Sequence, residues 1–70
     1  MRLGQLFLVF DNDQDIQVTQ KNPHKHLYCG KIGNFKEQME EKYPNNNFLN
    51  YNVERCYISG FVLSITIWED

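Results

Sequence analysis

The stretch "NYNVERCYISGFVLSITIW", residues 50 to 68, constrains this chain more than any other. Two runs rich in β-branched and aromatic residues flank Ser59-Gly60, a two-residue connection suited to a tight primed turn, so the segment predicts a hairpin. Pairing Ile58 with Phe61 puts Cys56, Ile58, Phe61, Leu63, Ile65 and Ile67 on one face, because side chains along a strand alternate between faces. That face reads as a continuous core wall. The reverse carries Tyr51, Val53, Arg55 and Tyr57 across from Trp68, Thr66, Ser64 and Val62.

The rest of the chain supplies partners for that wall. Leu3, Leu6, Phe7 and Phe10 follow the spacing of a helix face, and "DNDQD" then serves as the exit of a short helix. "DIQVTQ" alternates as a half-buried strand, with Ile16 and Val18 inward. "KNP" is a turn, in which Pro23 restricts Asn22 to extended conformations. "HLYCGKI" reads as the return strand, with Leu27 and Cys29 on one face and His26 and Tyr28 on the other. Asn34 and Glu37 match a capping pattern, and Phe35, Met39 and Tyr43 recur every four residues behind it. Pro44 and the asparagines that follow stop that helix. The expectation is a single α+β domain over residues 1–70, of order (α)ββαββ, with an antiparallel sheet and helical cover on one face.

At 70 residues a single core leaves roughly 3–5 kcal/mol of net stability. A metal, a disulfide or a partner chain would therefore help such a small domain. The formal net charge is −2, which argues against a chain devoted to gripping a nucleic-acid backbone. Alanine is absent while asparagine, lysine, isoleucine and tyrosine abound, the bias of an AT-rich genome. "LFLVF" is too short for a membrane span, and the expected setting is a reducing cytoplasm, where Cys29 and Cys56 stay thiols.

The richest chemistry lies in "NPHKHLYCGKIG". His24, His26 and Cys29, with Cys56, make a Cys₂His₂ set that zinc could use. In a regular strand the histidines project opposite to Cys29, so only an irregular backbone near Pro23 or Gly30 would gather all four. The alternative is two exposed histidines and two buried thiols. "CGKIG" lacks the spacing of a phosphate-binding loop. No acidic residue lies between Asp15 and Glu37, while Lys21, Lys25, Lys31 and Lys36 fall there, the basis for an alternative reading as a nucleic-acid or nucleotide-binding module. A cysteine–histidine pair would be split between faces, and a chain this short has little room for a walled pocket. The expectation is therefore not an enzyme. Tyr51, Arg55, Tyr57 and Trp68 form the partner-binding candidate, since interface hot spots are enriched in Tyr, Trp and Arg.

The order "RLGQLFLVFDNDQDIQV", then "LYCGKIGNF", then a strand ending "LSITI" resembles small proteins of phages and mobile elements of low-GC Gram-positive bacteria. Many such proteins inhibit host defence, anti-CRISPR proteins among them, and some bind zinc. The resemblance implies a small non-enzymatic inhibitor that occludes a host protein such as a CRISPR nuclease. Pairing through an exposed final strand would make it a homodimer.

Overall fold

The computed structural model describes residues 1–69, so Asp70 of the C-terminal acidic pair lies outside it. The chain runs α1 (Leu3–Phe7), β1 (Asp15–Gln20), β2 (Lys25–Lys31), α2 (Phe35–Lys42), β3 (Asn52–Ser59) and β4 (Val62–Trp68), the expected α+β order. Single 3₁₀ turns, Ile32–Asn34 and Phe48–Asn50, lead into α2 and β3.

The strands form one sheet in the order β2-β1-β4-β3. β1–β2 and β3–β4 are antiparallel hairpins, but β1 and β4 lie parallel, so the sheet is mixed rather than antiparallel throughout. The order puts the two strands with the driest side chains in the middle. Ile16 and Val18 of β1, with Leu63, Ile65 and Ile67 of β4, are almost wholly buried, and a strand keeps such residues dry best in the middle of a sheet. The final strand is therefore central, which removes it as an edge for pairing with another copy.

The C-terminal hairpin turns at Gly60-Phe61 instead of Ser59-Gly60. Ser59 faces Val62, Ile58 faces Leu63, and Gly60 takes φ +65° as a primed turn requires at its first position. Relative to the expected pairing the register moves by two residues, which leaves each of these side chains on its predicted face. The wall itself is shorter than expected. Leu63, Ile65 and Ile67 are buried, whereas Cys56 is exposed and Ile58 and Phe61 are 65% and 92% exposed, because the helices do not reach the hairpin tip.

Two irregularities re-aim side chains. Glu54 is an extra residue between Val53, which faces Ile67, and Arg55, which faces Thr66; Val53 thus turns toward the core, against expectation. Leu27 is the corresponding extra residue in β2, between Tyr28 opposite Val18 and His26 opposite Thr19. Tyr28 consequently shares the buried face with Leu27, and its ring meets Phe35 edge-on at 5.1 Å. Gly30 is where this packing is tightest: a Cβ there would stand 2.8 Å from the Tyr28 hydroxyl. At the turn between β1 and β2, Asn22 sits at φ 59° rather than in an extended conformation, before a cis Pro23.

α1, α2 and the second 3₁₀ turn cover one face. Leu3, Leu6, Phe35, Met39 and Phe48 join the strands in one core, with Phe7 and Tyr43 packed at its margin. Burying each such side chain stabilises by roughly 1.5–3 kcal/mol. Asn34 makes no side-chain cap; the 3₁₀ turn carries the chain into α2 instead. At the other end Asn46 donates through Nδ2 to the Met39 and Tyr43 carbonyls, closing the helix that Pro44 stops.

Candidate functional site

With all helical cover on one side, the sheet's reverse is open. Pairing and alternation place four rows of side chains there. Lys31, Asp15, Val62 and Ser59 form the row nearest the tip of the C-terminal hairpin, followed by Cys29, Gln17, Ser64 and Tyr57. Next come His26, Thr19, Thr66 and Arg55, and finally Trp68 beside Asn52. The middle of this face is short and polar, and its larger groups stand along β3 and the end of β4. Arg55 is exposed, as are Tyr57 (53%) and Trp68 (39%). Arg55 faces Thr66, two residues before Trp68 on the same strand, so guanidinium and indole are diagonal neighbours.

Three of the four partner-binding candidates thus share a helix-free face. Tyr51 does not join them. It precedes β3 and is half-buried, with its ring edge-on to Phe48 at 5.2 Å and its carbonyl accepting from the Leu3 amide. Burial, and then the neighbouring Glu69 carboxylate, push its phenol above the ordinary tyrosine range. The bulge at Glu54 breaks the alternation on which its assignment rested.

The Cys₂His₂ set does not assemble. Cys29 lies on β2 and Cys56 on β3, the two opposite edges of the sheet, and three strand spacings separate them by roughly 14 Å. They also face opposite sides, Cys29 beside Gln17 and Cys56 beside Ile65. Neither a shared metal nor a disulfide fits that separation. No cluster of three or more His, Cys, Asp or Glu suited to a metal occurs among the described residues. His24 lies in the exposed turn, while the bulge at Leu27 turns Cys29 away from Leu27 and onto the same face as His26, where a regular strand would oppose them. Both thiols are exposed rather than buried; the Cys56 thiol is nonetheless held above its ordinary range by partial desolvation, so it stays protonated and weakly nucleophilic at neutral pH.

The lysines of 21–36 are largely engaged. Lys21 pairs with Glu54 across to β3, Lys31 lies 3.6 Å from Asp15, and the Lys25 ammonium sits 4.7 Å from the centre of the Tyr43 ring. These are exposed, weak ties, yet each neutralises or occupies a charge that phosphate would need. Depressions mark the surface of the described residues. One, of about 180 Å³, lies between α2 and the loop before β3, lined by Met39, Leu49 and asparagines with Lys36 and Glu40 at its rim. Another, about 350 Å³ and open, lies beside Val9, Phe10, Asp11 and Asp13. Neither holds a cysteine or histidine.

No helix of the described residues is long and apolar enough to cross a membrane. No known family, no curated protein and no solved structure matches the chain.

Proposed function

We propose that this chain is a non-enzymatic binding protein that docks another protein against the open face of its sheet, with Arg55, Tyr57 and Trp68 as the anchoring side chains. The supporting observation is their convergence, exposed, on a face no helix covers. Rings bring large contact area at low entropic cost, and the guanidinium supplies directional hydrogen bonds, the combination from which hot spots are made. The polar floor of Gln17, Thr19, Ser64 and Thr66 keeps the unbound face wettable. The likeness to small phage and mobile-element proteins points to a host-defence factor as the occupant, a CRISPR nuclease being the first to try.

The test is capture of a partner from a bacterial lysate followed by titration against variants. Arg55→Ala and Trp68→Ala are each expected to weaken binding at least ~10-fold, on the scale of a hot spot. Because both are exposed, melting should stay near the wild-type value. Undiminished affinity in both variants would exclude this face. Salt distinguishes the nucleic-acid alternative: binding to single-stranded RNA or DNA that weakens steeply with ionic strength would replace the protein-docking reading.

A further inference from the structure

The two edges of the sheet are built differently. β2 carries Lys25 and Lys31 at its ends and a bulge between them, the usual protection against unwanted strand pairing. On β3 the run Cys56–Ser59 has no charge, and Tyr57 and Ile58 are 53% and 65% exposed. The hairpin fixes which backbone groups are available there. Ser59 and Val62 flank a two-residue turn and so form a hydrogen-bonded pair, and alternation then gives Tyr57 and Arg55 to β4 as well. The amides and carbonyls of Cys56 and Ile58 point away from the sheet, and no turn, loop or cap bond among the described residues reaches them.

We propose that this edge binds a second copy of the same strand, antiparallel, about a two-fold axis through Tyr57. That axis uses the whole regular run Arg55–Ser59, from the bulge to the turn. Each Cys56 then exchanges backbone hydrogen bonds with Ile58 of the second copy, pairing a small apolar side chain with a large one. Tyr57 meets its own counterpart, and each Arg55 faces Ser59 of the second copy, so the two guanidinium groups are not opposed. Centring the axis on Cys56 would instead set Ile58 against Glu54 in the bulge. Burial favours a second copy as well. Pairing covers Ile58 and the flank of Tyr57 on both copies at once, apolar surface that is 65% and 53% exposed in the single chain. The product is one continuous sheet with two open faces side by side.

This goes beyond the docking proposal and does not depend on it. Sedimentation equilibrium of the full chain over a concentration series should approach twice the 8.4 kDa chain mass, while Ile58→Lys and Cys56→Lys should return to the single mass with folded circular dichroism. In a Cys29→Ser, Cys56→Ser background, Tyr57→Cys should cross-link copies under mild oxidation, since facing residues of a non-hydrogen-bonded pair lie ~4.5 Å apart at Cα. A wild-type chain that stays monomeric throughout, lysine variants that still dimerise, or absence of the cross-link would each overturn the proposal. Trp68→Ala, on β4 away from the paired edge, should leave the mass unchanged, so failure of either proposal is read separately.

Discussion

Tyr51 and Tyr28 tie stability to alkaline pH. Burial raises both phenols above the ordinary value of 10.0, with Glu69 adding to the effect at Tyr51 and Cys29 at Tyr28. A raised folded-state pKa means that the folded chain holds its proton after the unfolded chain has released it. The associated stability is intact below about pH 10 and is lost as pH climbs through the raised value. Tyr51→Phe should therefore flatten the fall of melting temperature on the alkaline side, and an unchanged slope would show that the ring does not titrate in this way. Tyr28 also donates its hydroxyl to the Lys31 carbonyl at 2.6 Å, so its removal would cost a bond as well as a titration. It is thus the less clean variant.

At the scale of elements, α2 shows what periodicity can and cannot reveal. Phe35, Met39 and Tyr43 are readable as one stripe because a period near four places them over the sheet. The expected Asn34 cap is absent because the preceding residues wind into a 3₁₀ turn, a choice set by tertiary packing of Ile32 rather than by local chemistry. The cap that does form is at the other end. Asn46→Ala would remove the Nδ2 donor from both carbonyls and the Oδ1 acceptor from the Phe48 amide, and a loss of about 1 kcal/mol in urea denaturation is expected. The hairpin teaches the same lesson. Its faces were legible because a slip of two preserves alternation, so Arg55, Tyr57 and Trp68 could be grouped in advance. Bulges at Glu54 and Leu27 leave no mark in a hydrophobic pattern, and they displaced Val53, Tyr28, Cys29 and Tyr51 from their expected places.

For the whole molecule the decisive feature is the parallel seam between β1 and β4. Strand order was not readable, because pattern fixes which face of a strand is apolar and says nothing of its neighbours. That order is also what separates Cys29 from Cys56 and dissolves the four-ligand set. Ile65 lies in the seam, opposite Val18 and 1% exposed. Ile65→Ala should cost roughly 2–5 kcal/mol, comparable with the roughly 3–5 kcal/mol total expected at this size. Circular dichroism of that variant should show a large unfolded population at 25 °C, and a cooperative melt near the wild-type temperature would contradict the assignment of the core. The seam further dictates when the protein can exist during translation. β4 is synthesised after the other three strands, so until it clears the ribosome β1 has one bare flank and the aliphatic layer has no floor. A nascent chain halted before Val62 would be a client for chaperones or proteases rather than a partial fold.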